Sequence, residues 1–282
     1  MNKVDNVYKL LVLNIIGSGK DDFKEKVRPK YADGTPAHTV KEIVVNFEIQ
    51  NSENDSFPLI KSKKVGWKWA FEEILWIWQR KSNNINDLKR TMNITIWDEW
   101  ADEDGSINKA YGYQLAKRCR NLNGTMVDQV DYLLHNLKNR ENLRRNYVTL
   151  WNVDDLDEMN LNPCVHSTNW IIDGEYLDIQ VFQRSGDVAL GIPFNISQYA
   201  FLHRLIAKEV GLKSRKIYWN LADAHIYDRH IDLIKKQINE VSDNERIILT
   251  LPDKSFYDVH INDIKIEGYN QAKDNYKYEV AI

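Results

Sequence analysis

Cysteine is nearly absent from this chain: there are two among 282 residues, Cys119 and Cys164. Such a pair builds neither a disulfide framework nor a cysteine-rich zinc site, so a reducing, cytoplasmic setting is expected, and a cysteine that matters does so as a thiol. Excess charge is lacking as well. Lys and Arg number 38 against 41 Asp and Glu, a formal net charge of −3. Without a basic surplus to displace counterions, gripping nucleic acid or an anionic membrane is not the main task. No apolar run reaches the ~18 residues of a membrane span. Asn14 interrupts the run from Leu10 to Leu13, and Tyr8, Leu11, Val12, Ile15 and Ile16 share one helical stripe that stops at Gly17. That pattern is an amphipathic opening helix rather than a signal peptide.

No internal repeat, low-complexity tract or Pro/Gly linker divides the chain. Length alone allows two domains, or one larger α/β domain. The polar-tipped aromatics are plentiful, with nine Trp and fourteen Tyr against eight Phe, and they suit planar-ligand pockets as well as cores. Helical patterns recur near 67–80, 126–139, 195–210 and 228–239. Strand patterns fall near 40–49, 147–152, 165–172, 175–184, 215–222 and 246–251, and this mixed order points to an α/β chain with a mixed sheet. Gly17-Ser18-Gly19-Lys20 is not a phosphate loop, because Asn14 stands where the first loop glycine belongs and Asp21 where Ser or Thr would hold magnesium. A helix C-cap is expected there.

Between two strand-like runs, Asp173-Gly174 is a strong hairpin signal. With those two residues as the turn, Cys164 falls opposite Gln183 and in register with Gln183-Arg184-Ser185. Strict alternation would send Arg184 to the other face, so a shared pocket requires a bulge or a strand end. A guanidinium beside the sulfur favours thiolate and makes Cys164 a nucleophile near neutral pH; a buried, inert thiol is the plain alternative. Cys119, between Arg118 and Arg120, gathers no acid–base partner and reads as structural.

The 67–80 helix places Trp67, Ala70, Phe71, Ile74, Leu75 and Trp78 on one face. Glu72 is spaced to pair with Lys68, whereas Glu73 has Trp69, Trp76 and Ile77 as neighbours. Apolar surroundings raise a carboxyl pKa and suit Glu73 to proton transfer, unless it merely ends the apolar stripe. In Asp223-Ala224-His225-Ile226-Tyr227, alternation puts His225 and Tyr227 on one strand face. That pair suits hydroxyl recognition better than metal binding, since three convergent ligands are lacking. Lys138, Arg140, Arg144 and Arg145 fit either a phosphate or a solvated helix end.

Taken in order, the segments resemble thymidylate synthases of the bacillus and phage branch. The blocks are Phe57-Pro58-Leu59 with Lys63-Lys64, Glu73-Ile74-Leu75-Trp76, Ile96-Trp97-Asp98-Glu99-Trp100-Ala101, Tyr111-Gly112, Arg144-Arg145, Pro163-Cys164, Gln183 through Asn195, Asp223 through Tyr227, and Val280-Ala281-Ile282. They span nearly the whole chain, and Gln-Arg-Ser joined to an upstream Pro-Cys is highly specific.

The resemblance implies one α/β (α+β) domain over residues 1–282, with a large mixed sheet flanked by helices and dimerising through that sheet. It implies reductive methylation of dUMP by 5,10-methylenetetrahydrofolate, with no metal. Cys164 is then the nucleophile, Glu73, Tyr111 and Asn195 the proton and carbonyl partners, and Arg184 a phosphate ligand beside the thiol. Arg28, Gln183 and Ser185 join it on the nucleotide side, with Arg144 and Arg145 reaching across from a second subunit. His225 and Tyr227 match the ribose 3′-hydroxyl ligands, and Asn195 reads the uracil edge. Asp187, Trp97, Trp100, Leu190, Phe194 and Ile282 match the folate side, and Lys63 its glutamate tail. Val165 stands where many synthases have His, Ala222 where Gly is usual, and Arg28 is followed by Pro-Lys-Tyr rather than the usual Arg-Thr-Gly. A hydroxymethylase acting on dUMP or dCMP with the same folate is the neighbouring alternative, and RNA binding a secondary role.

Overall fold

The computed structural model describes residues 3–141, 144–240, 245–270 and 276–281. It opens with α1 (Lys3–Ser18), which buries Val4, Tyr8, Leu11, Val12 and Ile15. The helix stops at Gly19, whose N–H donates to Ile15 O at 2.9 Å. A Cβ on Gly19 would lie 2.3 Å from that oxygen, so the glycine-rich tetrapeptide is a helix end, as expected. Strands β1 (Lys20–Asp21) and β2 (Thr39–Gln50) lead into α2 (Trp67–Trp78), α3 (Asn86–Met92) and α4 (Gly112–Ala116). After a small hairpin of β3 (Arg120–Leu122) and β4 (Thr125–Val127) come α5 (Gln129–Asn139), β5 (Tyr147–Thr149), β6 (Val165–Asp173), β7 (Tyr176–Gln183) and β8 (Gly186–Asp187). The chain continues through α6 (Gly191–Glu209), β9 (Lys213–Tyr227), α7 (Ile231–Gln237), β10 (Ile248–Thr250) and β11 (Lys265–Glu267).

The main sheet has the order β1-β2-β9-β7-β6-β5, with β8 also beside β9. β7 and β8 run parallel to β9, and the other neighbouring pairs are antiparallel. It is the mixed sheet that the sequence pattern implies. Helices α1 and α6 pack on it and α2 packs on α6. Much of the tryptophan goes into this core: Trp76, Trp78, Trp170 and Trp219 are fully buried, and Phe71 stacks on Phe201 at 4.2 Å. Burial of large rings of this kind dominates the cohesion of a core.

Two local expectations are corrected. Glu72 pairs with Arg80 at 2.7 Å rather than with Lys68. α2 is buried nearly all round, from Ala70 to Trp78, so a carboxylate inside it takes the cation that shares its burial. The β6–β7 turn is Gly174-Glu175, one residue later than expected, with Asp173 paired to Tyr176. Gly174 has φ +58°, and it occupies the first turn position because a two-residue hairpin needs a positive φ there. A bulge between Val165 and Ser167 then resets the register, so Val165 pairs with Gln183. Arg184 N donates to Cys164 O at 2.8 Å. Cys164 therefore sits opposite Arg184, not Gln183, through the bulge that a shared pocket requires.

A second irregularity lies where β2 meets β9. Val44 has φ +58°, between the pairs Ile43–Asp223 and Val45–Leu221. On β9 the buried positions run Ile217, Trp219, Leu221 before this point and Ala224, Ile226 after it. The strand thus changes which parity faces the core. His225 and Tyr227 share a face, as expected, and it is the face turned away from Ala224 and Ile226.

Tyr111 also adopts a positive-φ backbone, φ 46° and ψ −106°, immediately before α4. Gly112 makes this tolerable, since a Cβ there would lie 2.1 Å from Ser82 O and 2.6 Å from Ser82 N. Both obstacles are backbone, so Gly112→Ala is expected to cost about 2 kcal/mol or more and to displace Tyr111. Denaturant unfolding measures this, and a change within about 0.5 kcal/mol would contradict the packing described.

Candidate active site

The start of β6, the end of β7 and the first turns of α6 converge around Cys164. Arg184 clamps the approach to the cysteine: Nε donates to Pro163 O at 3.1 Å and Nη2 to Asn162 O at 2.8 Å. Those bonds leave Nη2 3.9 Å from Cys164 Sγ. From the other side Tyr111 Oη accepts a hydrogen bond from Cys164 N at 3.2 Å. Burial pushes the Cys164 thiol up, while Arg184 and the Tyr111 hydroxyl pull it back. The net direction is upward, against what the guanidinium alone would give, because desolvation of a thiolate outweighs one nearby cation.

Glu73, on α2, lies behind this pair. Burial raises its carboxyl to about 7, with Gln198 and the Trp97 indole holding it back. The direction is the one its helical neighbours imply. Burial also lifts Tyr111, helped by the charges of Cys164 and Glu73. Trp97 meets the Tyr111 ring edge-on at 4.9 Å and Trp100 at 6.0 Å.

A chain of amides runs from Glu73 along α6. Asn195 Nδ2 donates to Gln198 Oε1 at 3.1 Å, Gln183 Nε2 donates to Asn195 Oδ1 at 3.1 Å, and Trp219 Nε1 donates to Gln183 Oε1 at 3.0 Å. Each bond fixes the orientation of the next amide, so Asn195 is held with a defined donor and acceptor edge. Gln183 Nε2 also reaches Ser185 O at 2.9 Å. Gln198 was not singled out from sequence. The available signal was its i,i+3 spacing from Asn195 on α6.

The far end of β9 carries His225 and Tyr227. Asp187 pairs with His225 across β8 and β9, and its Oδ1 accepts from Ala189 N at 2.8 Å and Leu190 N at 3.1 Å. Burial, foremost, raises Tyr227 to about 12; the charge of Asp187 raises it further and that of the exposed Arg28 opposes. Lys63 is buried, donates to Ala189 O at 2.7 Å and lies 4.8 Å from the Tyr278 ring centre. Desolvation lowers it to about 8. Leu190 and Phe194 are partly buried at the start of α6. Arg144 and Arg145 are exposed just before β5, and no contact among the described residues joins them to this cluster. Ile282 lies outside the described residues. His166 packs against Trp151 and Phe182. Among the described residues no group of three or more His, Cys, Asp or Glu is arranged to hold a metal, and no helix is long and apolar enough to cross a membrane.

A thiol under a guanidinium, backed by a buried carboxyl and phenol, is the equipment of a group-transfer enzyme working through covalent attack. A family model described as thymidylate synthase matches residues 6–282. Thymidylate synthases from Bacillus mojavensis and Bacillus phage phi3T are 45% and 43% identical, each over 100% of both chains. The solved structure of thermostable thymidylate synthase A from Bacillus subtilis superposes with a TM-score of 0.93 at 44% identity, covering 99% of each chain. The chain belongs to the thymidylate synthase family and is a methyltransferase.

The raised Glu73 has a measurable consequence. Its carboxyl titrates near 4.5 when free and near 7 in the fold. The native state therefore retains a proton that the unfolded chain has released, and stability falls as pH rises between those values. The full loss is about 3 kcal/mol at most. Glu73→Gln is expected to flatten this slope. Urea midpoints for the two proteins at about pH 5 and about pH 8 test it, and parallel pH dependence would show that Glu73 is not desolvated in solution.

Proposed function

We propose that this site carries out reductive methylation of dUMP to dTMP, with Cys164 as the nucleophile; the placement of its sulfur 3.9 Å from Arg184 Nη2 carries the reading. 5,10-Methylenetetrahydrofolate, as co-substrate, supplies the one-carbon unit and the hydride. Carbon 5 of uracil is a weak nucleophile. Attack by the thiolate on carbon 6 shifts electrons toward O4 and leaves an enolate whose carbon 5 can react. Burial resists forming that thiolate, so the thiol gives up its proton to solvent as the sulfur bonds to carbon 6, with the guanidinium facing sulfur and phosphate together.

Negative charge developing at O4 meets Glu73 and Asn195. A carboxyl near pH 7 can give and take a proton under working conditions, and the Gln183–Asn195–Gln198 chain presents an amide edge suited to the N3–H and O4 of uracil. Tyr111, a phenol kept protonated, faces the carbon 5 proton that must leave. Arg28, Arg184 and Ser185 hold the phosphate, with Gln183 braced beside them, and His225 and Tyr227 hold the ribose 3′-hydroxyl. The partly buried Trp100, Leu190 and Phe194, with Trp97 and Asp187, offer the folate a flat apolar wall and a hydrogen-bonding carboxylate. Lys63 would meet its glutamate tail. The same adduct trapped by water would give a 5-hydroxymethyl product, but an amide at Asn195 matches uracil better than cytosine.

Dimerisation through the sheet completes the phosphate site in this proposal. The outer sheet surface exposes Ile43 by 64% and Val44 by 63%, and Tyr218 further along β9, and apolar surface of this kind favours a partner. Arg144 and Arg145, exposed and without a hydrogen bond or ion pair among the described residues, would cross that interface. RNA binding remains a secondary role in view of the −3 charge, and steeply salt-dependent retention of RNA would support it.

Two experiments test these assignments. Cys164→Ser is expected to abolish dTMP formation while still binding dUMP, and wild type with 5-fluoro-dUMP and the folate should give a covalent ternary adduct on the Cys164 peptide. Near-normal turnover of the variant, or a 5-hydroxymethyl product without dihydrofolate, would overturn the reading. For the dimer, the inactive Cys164→Ser and Arg144→Ala/Arg145→Ala chains should regain activity when mixed, because one hybrid site then holds both sets of intact residues. Failure to regain activity despite subunit exchange would place those arginines elsewhere.

A further inference from the structure

The end of β9 presents two polar atoms that the described chain leaves unsatisfied. His225 Nε2 and the Tyr227 hydroxyl have no hydrogen-bond partner among the described residues, although the His225 side chain is only 12% exposed. The other imidazole nitrogen is committed. His225 Nδ1 lies 2.7 Å from Asp223 Oδ1, and since a carboxylate only accepts, Nδ1 carries the proton. In the neutral ring Nε2 is then a bare acceptor.

Asp223 is well placed for this task. It sits two residues before His225 on the same face of β9, opposite Ile43 on β2. Its second oxygen lies 3.9 Å from the Lys41 ammonium, and Lys41 is the cross-strand partner of His225. With its side chain 38% exposed, Asp223 belongs to the class of ion pairs that add little to folding. Its removal is therefore a test of the imidazole rather than of the fold.

Tyr227 supplies the complement. Its ring meets His225 edge-on at 5.3 Å, and its hydroxyl is a donor at neutral pH. One acceptor and one donor side by side fit a hydroxyl group, which can give one hydrogen bond and take another. They fit neither a hydrogen atom nor a keto oxygen. We propose that Asp223 is a positioning residue that sets the His225 tautomer and so makes the sugar 3′-hydroxyl a required feature of the nucleotide. The inference rests on dUMP being the substrate of this site.

Titration calorimetry of wild type, Asp223→Ala and Asp223→Asn with dUMP and with 2′,3′-dideoxyuridine 5′-monophosphate tests it. Wild type is expected to prefer dUMP by about tenfold, the scale of one hydrogen bond to a buried group. Asp223→Ala should lose most of that preference by weakening dUMP alone. Asp223→Asn, whose amide oxygen still accepts from Nδ1, should keep it. Imidazole 15N shifts should report the Nδ1–H tautomer of His225 in wild type and Asp223→Asn, and a mixture in Asp223→Ala. A wild type indifferent to the 3′-hydroxyl would overturn the assignment of the nucleotide at this site. A wild type that prefers dUMP, with the preference intact in Asp223→Ala or with both nucleotides weakened equally, would overturn the role of Asp223 alone.

Discussion

The site depends on one offset in one strand pair. β6 and β7 begin their pairing at Asp173–Tyr176 and keep that register to Ser167–Phe182; the bulge at Val165 then brings Cys164 opposite Arg184. Without the bulge every side chain at the end of β6 would keep strict alternation, and the thiol and guanidinium would point to opposite faces. Arg184 repays the irregularity by donating to Asn162 O and Pro163 O. The residue that serves the sulfur thus also holds the backbone that presents it. A guanidinium can do both because its planar fork carries several donors in fixed directions, which a lysine cannot match.

Burial sets the protonation of this site. The Cys164 thiol, the Glu73 carboxyl and the Tyr111 hydroxyl are all pushed up, with desolvation the first cause in each. The thiol and the phenol are held neutral near physiological pH, while the Glu73 carboxyl, raised to about 7, exchanges its proton there. Such an arrangement protects the thiol from indiscriminate reaction and places a proton store about where a reaction at neutral pH needs one. It also explains why a net charge near zero suffices, since the fixed positive groups are a few arginines rather than a basic surface.

Much of this was legible in the residues. The 3.6-residue stripe of α2, the amphipathic α1 with its glycine stop and the alternation at His225 and Tyr227 each follow from local periodicity. The surroundings of Glu73 could be read from its helical neighbours alone. What escaped the sequence was of two kinds. Turn placement shifted by one residue, because Gly174 rather than Asp173 meets the demand for positive φ. Partners set by three-dimensional packing, Arg80 for Glu72 and Gln198 for Asn195, could not be chosen from spacing, since a buried group takes whichever complementary side chain is buried with it.

The backbone of Val44 shows how far such long-range constraint reaches. A β-branched residue at φ +58° costs about 1–3 kcal/mol and persists only where the surroundings fix it. Here it lies opposite the stretch of β9 where burial passes from Leu221 to Ala224. On β2 the same change is visible, with Val45, Phe47 and Ile49 against the core on one side of the irregularity and Val40 on the other. Two paired strands therefore exchange faces together. Had β9 kept its parity, Asp223, His225 and Tyr227 would face the core, where an unpaired imidazole and phenol are costly, and Ala224 and Ile226 would line the site. One strained valine thus lets a single 15-residue strand bury Trp219 in the core and still turn its polar end away from it.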